Sequence, residues 1–228
     1  MDESFFRYVI LGRTYQLPFM DISSKTKERI LMEATILFAQ NGYAAVSMRD
    51  IGDKIGIKPA SLYSHFASKE ILWKEILEHT EKLYKLYIDL LGEEMSKAKT
   101  FKEALDVLFF EPKKLTNIFT CFAFSLVMVE QFRDEQAAEI YNRTFLEYSV
   151  GKHKEWLDRC VADGLVRQFD TKTVATMFIN TVMAGLNAKV QEILGRKPYY
   201  DPSTMYAELE NFLHDACTAG AETSWQAS

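Results

Sequence analysis

The stretch Lys25 to Leu77, KTKERILMEATILFAQNGYAAVSMRDIGDKIGIKPASLYSHFASKEILWKEIL, decides the fold of this chain. Ile30, Ala34, Leu37 and Phe38 recur at the three-and-four spacing that puts apolar side chains on one helix face, and Asn41-Gly42 supplies residues that tolerate the left-handed conformation of a helix end. Ser47 with Asp50 three residues on reads as a capping box, after which Met48, Ile51 and Ile55 form a second, short stripe that Gly56 stops. Pro59 stands where a first-turn proline is tolerated. Leu62 and Phe66 then point inward one turn apart and leave Ser61, Tyr63, Ser64 and His65 facing out. Ser68 caps a fourth helix whose Ile71, Leu72, Ile76, Leu83 and Leu90 keep an apolar face over several further turns. Three short helices joined by glycine-marked turns and running into a long fourth are the build of a helix-turn-helix module.

The ordered set carries a family resemblance. Ile30 and Ala34, Phe38 with Asn41-Gly42-Tyr43, Ser47-Met48-Arg49-Asp50-Ile51, Ile55-Gly56-Ile57, Leu62-Tyr63-Ser64-His65-Phe66 and Ser68-Lys69-Glu70 together resemble the N-terminal DNA-binding domain of the tetracycline-repressor (TetR) family of bacterial regulators. The resemblance implies a double-stranded, pseudo-palindromic DNA operator as partner, a homodimer and a small-molecule effector. It assigns phosphate contacts to Ser47, Arg49, Tyr63, His65 and Lys69, which are also donors left outside the apolar stripes. Base reading falls to the start and outer face of the third helix, at Lys58, Ala60, Ser61 and Ser64, with Pro59 among the DNA-binding residues. Lys58-Pro59-Ala60 departs from the family's usual polar cap followed by lysine or glutamine, so the operator sequence stays open.

Charge is distributed unevenly. The 228-residue chain has a net charge of −5, yet Ser23 to Lys69 holds seven basic residues (Lys25, Lys27, Arg29, Arg49, Lys54, Lys58, Lys69) against four acidic ones (Glu28, Glu33, Asp50, Asp53), a net +3. A local basic face in an acidic chain suits phosphate binding while keeping the other surfaces off DNA. Cys121, Cys160 and Cys217 are odd in number, widely spaced and set in apolar helical patterns, as expected of reduced packing residues in a cytoplasmic protein. The uncharged runs Leu115 to Val129 and Thr173 to Ala188 are short for a membrane span of about 20 residues, so no membrane partner is expected. Met1 to Ile22 has no signal-peptide pattern, and Met20 is an equally good natural start, which makes residues 1–19 a candidate extension.

Beyond Leu91 the pattern stays helical, and the fold class expected is all-α. Helices are predicted over Phe101 to Phe110, Lys113 to Gln131, Glu135 to Gly164 with a break near Gly151, Thr171 to Leu194, and Ser203 to Cys217, with breakers at Gly92, Glu111-Pro112, Arg133-Asp134, Gly164 to Asp170 and Gly195 to Pro202. The organisation expected is an N-terminal extension (1–22), a helix-turn-helix domain (23–69) and a helical effector-binding and dimerisation domain (70–228), with the fourth helix as the link.

The helix from Thr171 to Leu194 is apolar or small nearly all round, which predicts cover on more than one side. By the resemblance, this helix and the last one form a dimer interface, for which Phe178, Val182, Gly185, Met205, Leu209 and Phe212 are the candidates. The middle of the chain is crowded with aromatics. Phe109, Phe122, Phe145, Tyr148 and Trp156, with the adaptable thioether of Met128, are the candidate lining of an apolar or aromatic effector site, although aromatics at this spacing also build plain cores. No HExxH, CxxC, GxSxG or phosphate-loop pattern occurs, and His65, His79, His153 and His214 stand far apart. No catalytic residue, metal site or cofactor is therefore expected. The function expected is a ligand-released transcriptional repressor. A TetR-fold protein acting through a protein partner, and a helical small-molecule-binding protein or enzyme, remain the alternatives.

Overall fold

The structure is a computed structural model, and it describes residues 7–10, 13–16, 25–113, 118–199 and 201–218. Ten α-helices carry the described chain: α1 (Lys25–Asn41), α2 (Met48–Ile55), α3 (Pro59–His65), α4 (Lys69–Met95), α5 (Phe101–Lys113), α6 (Ile118–Glu130), α7 (Glu135–Ile140), α8 (Ser149–Ala162), α9 (Thr171–Ile193) and α10 (Pro202–Thr218). The expected all-α architecture, an N-terminal helix-turn-helix followed by further helices, is what the structure has. One element is added to it. Within the stretch assigned to an extension, β1 (Arg7–Ile10) pairs antiparallel with β2 (Arg13–Gln16), Arg7 opposite Gln16 and Tyr8 opposite Tyr15. Tyr, Val, Ile and Thr favour that pleated pairing. Phe109, Phe110 and Phe119, and the Glu111-Pro112 side chains, lie outside the described side chains, as does the alternative start at Met20 outside the described residues.

The helices form two compact units. The first comprises residues 1–84 and 116–142, the second 85–115 and 143–228. The boundary thus falls within α4 after Tyr84 and within a π-helical stretch, Tyr141–Tyr148, that joins α7 to α8. The sequence places a single break near Gly151 in one long helix, but Gly151 lies inside α8 and the change of helical form comes earlier, over Tyr141–Tyr148. The wider turn there brings the Ser149 hydroxyl onto the Thr144 carbonyl, five residues back, at 3.3 Å. The predicted break at Glu111-Pro112 is also displaced, since α5 runs through it to Lys113.

In the first unit α1 is held from two sides. Ile30, Ala34 and Phe38 meet Ile51, Leu62, Phe66 and Leu72 in the helix-turn-helix core, all within 1% of complete burial. Leu31, Met32 and Thr35, on another face of α1, are buried as well, because α6 packs along it. Helix α6 is buried almost all round, from Thr120 to Met128, as its uninterrupted apolar sequence requires. It belongs with α1 to α3, whereas the sequence alone grouped it with the helices that follow.

In the second unit α9 is central, packed by α8, α10 and α5. It is less enclosed than its composition suggests: Thr173, Thr176, Asn180, Ala184, Asn187 and Gln191 form an exposed stripe of small and polar residues at helical spacing, with Met177 exposed beside them. Close approach of α10 depends on Gly185, where a Cβ would overlap the Tyr206 hydroxyl that donates to the Val182 carbonyl at 3.2 Å. Cys121, Cys160 and Cys217 are buried and form no disulfide among the described residues, and no described helix is long and apolar enough to cross a membrane.

Candidate DNA-binding interface and effector pocket

The geometry of the recognition module follows from its caps. Ser47 adopts extended backbone angles and accepts from the Asp50 amide at 3.2 Å, while the Asp50 carboxylate accepts from the Ser47 amide at 2.7 Å and from its hydroxyl at 2.6 Å. These hydrogen bonds, those to the Ser47 side chain first, hold the Asp50 carboxyl below the usual range. Gly56 ends α2 at φ 70, ψ 34, a left-handed conformation that costs a glycine nothing, and its own amide returns to the α2 carbonyls. Gly52 permits the close turn into α3, since a Cβ there would stand 3.2 Å from the Ile57 carbonyl. Pro59 opens α3 at its first turn, and Lys58 precedes it as an N-cap whose side chain makes no capping bond. The Lys58 ammonium is left to solvent.

Around this scaffold the expected DNA contacts lie outward. Ser47, Arg49, Lys58, Pro59, Ala60, Ser61, Tyr63 and Ser64 are exposed, and His65 and Lys69 are half-buried. Three of the phosphate candidates share one place: Ser47, Tyr63 and Lys69 line a surface groove of ≈ 410 Å³ with Ala44, Ala45 and Ser68, where the starts of α2 and α4 meet α3. The groove is open to two helix N-termini, where amides and dipoles favour an anion. The Lys69 ammonium lies 4.2 Å from the Tyr43 ring centre and 5.7 Å from that of Phe38, which fixes the charge on an aromatic shelf. Arg49 sits apart on the exposed side of α2, 3.7 Å from Asp53.

Not every basic residue of the +3 segment faces outward. Arg29 donates to the Ile55 carbonyl at 2.7 Å, satisfying the open end of α2, and Lys27 pairs with Glu75 at 2.5 Å and lies over the Phe66 ring. These two cations hold α1 to α2 and α4. A tally of charge along the sequence cannot make that distinction. Sequence reasoning also missed the support beneath the groove. Glu130, at the end of α6, is buried and accepts from the Tyr43 amide at 3.2 Å, and Asp134 accepts from the Trp73 indole at 3.1 Å. Trp73 and Tyr43 stand 4.8 Å apart, so the corner between α6 and α7 holds the aromatic shelf from below. Nothing in the local pattern of Glu130 announces a partner 87 residues away.

The described residues of the expected effector lining fall in both units. Phe122 and Met128 belong to the core of the first unit, while Phe145, Tyr148 and Trp156 belong to the second. Tyr148 is half-buried, donates to Asp89 at 2.5 Å and lies beneath the ammonium groups of Lys85 and Lys152. Burial first, then the bond to Asp89, push its phenol up to about 12. Phe145 is fully buried in the core. Trp156 borders a small cavity of ≈ 10 Å³ lined by Phe101, Leu105, Leu108, His153, Phe178 and Leu213 among others. His153 is buried there and its Nδ1 meets the Ser149 carbonyl at 2.7 Å, which requires that nitrogen to carry the proton. Burial pushes its imidazole down to about 4.

The dimer candidates also divide. Phe178 lines that cavity and Gly185 lies against Tyr206, so both serve the chain's own core. They read as interface residues because a helix with apolar side chains all round gives no sign of which side its own chain covers. Val182, Met205 and Leu209 are half-buried, and Phe212 is 55% exposed, near Met177 in the degree to which it is uncovered. No group of three or more metal-ligating side chains occurs among the described residues.

Comparison with known proteins agrees with this architecture. Residues 30–76 match the sequence profile of bacterial regulatory proteins, tetR family. The chain is 27% identical to the HTH-type transcriptional repressor BdcR of Escherichia coli (strain K12) over 72% of its own length and 79% of that protein's. In fold it resembles the SmeT–triclosan complex (TM-score 0.66, 18% identity, 87% of this chain and 94% of that one). A transcriptional regulator from Saccharomonospora viridis in complex with choline is similar too (TM-score 0.64, 22% identity, 85% and 97%). The capped recognition module, residues 30–76, is thus that of the tetR family of bacterial regulatory proteins, and the chain as a whole resembles regulators of that kind in sequence and in fold.

Proposed function

We propose that this protein is a homodimeric, ligand-responsive transcriptional repressor that leaves its operator when a small apolar or aromatic effector binds. The observation that carries the DNA half is the groove in which Ser47, Tyr63 and Lys69 meet beside an exposed α3. In a two-fold dimer the two α3 helices must lie about 34 Å apart to enter successive major grooves on one face of DNA, so an effector needs only to change that spacing. Helix α4, continuous through both units, is the element able to carry the change. The exposed Met177 and Phe212, with the half-buried Met205 and Leu209, supply the apolar face of the dimer on α9 and α10. Fold relatives bound to triclosan and to choline support a regulator that responds to a ligand.

Selection of bound sequences from a random DNA pool by the full chain tests the reading first. A consensus with two-fold symmetry is expected, and Phe212→Glu should lower the sedimenting mass and the operator affinity together. Failure to enrich any sequence removes the DNA function. One observation favours a second reading, in which the output is a protein partner: the cavity beside Trp156 is far smaller than the roughly 300–1,000 Å³ of a usual ligand site. Operator affinity that no bound small molecule alters would select it.

A further inference from the structure

The second unit holds two small cavities that share one wall. The inner one, ≈ 10 Å³, is bounded by Phe101, Leu108, Phe178 and Leu213, and the outer one, ≈ 50 Å³, by Ser96, Thr100, Arg159 and Asp163. Among the described residues, Trp156 is the one that lines both. Its indole stacks on Phe101, with ring centres 5.9 Å apart and planes 11° from parallel. A buried tryptophan normally places its N–H on an acceptor. This one makes no hydrogen bond among the described residues and its N–H is not one of the sealed polar atoms, so no protein acceptor there pins the ring against Phe101.

The two cavities differ in chemistry. The inner wall is hydrocarbon except for His153, which is uncharged at neutral pH and cannot neutralise a buried anion. The outer wall offers a cation: the Arg159 guanidinium makes no hydrogen bond or ion pair among the described residues, although Asp163 lies one turn on and borders the same cavity. An unpaired guanidinium is a fork shaped for a carboxylate.

We propose that Trp156 is a movable partition, and that its displacement joins the two cavities into one site for an amphiphilic monocarboxylate, the hydrocarbon taking the place of the indole against Phe101 and Phe178 and the carboxylate meeting Arg159. This rests on the effector reading above and names its ligand class. The released indole provides the volume that the static cavities lack. Asp163 restricts the site to a single negative charge, because a second carboxylate would face it.

Decanoate and decanol, each below its aggregation threshold, test the proposal on the full chain by titration calorimetry and tryptophan fluorescence. Decanoate should bind and change the fluorescence. Trp156→Phe, a smaller ring, should bind decanoate severalfold more tightly and lose that part of the signal, while Trp73 and Trp225 report the same background in both proteins. Arg159→Gln should weaken decanoate on the order of tenfold and leave decanol unchanged. Circular dichroism confirms that both variants are folded. Absence of decanoate binding, or binding indifferent to both substitutions, overturns the proposal. Decanoate binding that follows both variants but leaves operator affinity unaltered keeps this site and removes the effector reading. Operator release by a compound indifferent to both variants does the reverse.

Discussion

Glu130→Ala is the substitution that tests how the recognition module is supported. The Glu130 side chain is 5% exposed, and its carboxylate accepts the Tyr43 amide that follows Gly42, whose φ of +87 sets the turn after α1. Alanine leaves that amide without its acceptor, at about 1–3 kcal/mol, and removes a buried methylene worth about 0.8 kcal/mol. Relief of the desolvation of a buried carboxylate opposes both effects and reduces the sum to about 2 kcal/mol. Glu130→Gln keeps a carbonyl acceptor and loses only charge assistance, so its cost should stay below about 1 kcal/mol. Urea unfolding at pH 7 reads the difference as a lower midpoint at unchanged slope. Because the Tyr43 ring carries Lys69 at 4.2 Å, the alanine variant should also bind operator more weakly, whereas the salt dependence should not change, since no phosphate contact is removed. An alanine variant as stable as the parent, binding DNA more tightly because a negative charge is gone, would refute the reasoning.

Other outcomes follow from the same contacts. Lys69→Ala should flatten the salt dependence of DNA binding by roughly one unit and weaken all sequences alike, while Arg29→Ala, which breaks the bond to the Ile55 carbonyl, should lower stability and leave that slope unchanged; equal slopes in both variants would sink the assignment. Burial, first among the causes, holds the His79 and His153 imidazoles down to about 4 from an ordinary 6.5, so the unfolded chain binds more protons below pH 6.5. Stability should therefore be full above about pH 6.5 and fall toward pH 4 by up to about 1.4 kcal/mol per pH unit for each histidine, with His153→Gln removing half of the slope in urea titrations at pH 7 and pH 5; an unchanged slope counts against a buried neutral His153. Gly185→Ala forces a Cβ onto the Tyr206 hydroxyl and should cost about 1–3 kcal/mol, while Tyr206→Phe in the same background should recover part of it; thermal unfolding distinguishes this from a tolerated change.

The local signals along Lys25 to Leu77 were sufficient to place α1 to α4, because each depends on neighbours within a few residues: the Ser47–Asp50 box, the left-handed Gly56, Pro59 at its first turn, and the inward Leu62 and Phe66. The outward set from Ser47 to Lys69 follows from the same periodicity, since a side chain outside a short apolar stripe has little choice but to face solvent. Tertiary structure alone decided the rest. Whether a cation is a surface charge or a clasp depends on its partner, and Arg29 and Lys27 find theirs 26 and 48 positions away in sequence, at Ile55 and Glu75. Aromatic spacing along α6 and α8 could not say that Phe122 and Trp156 belong to different units, nor that Phe178 and Gly185 turn inward while Phe212 does not. Periodicity reports that a helix has an apolar side, and only the packing of other helices against it determines which side is core, which is pocket, and which is left for another molecule.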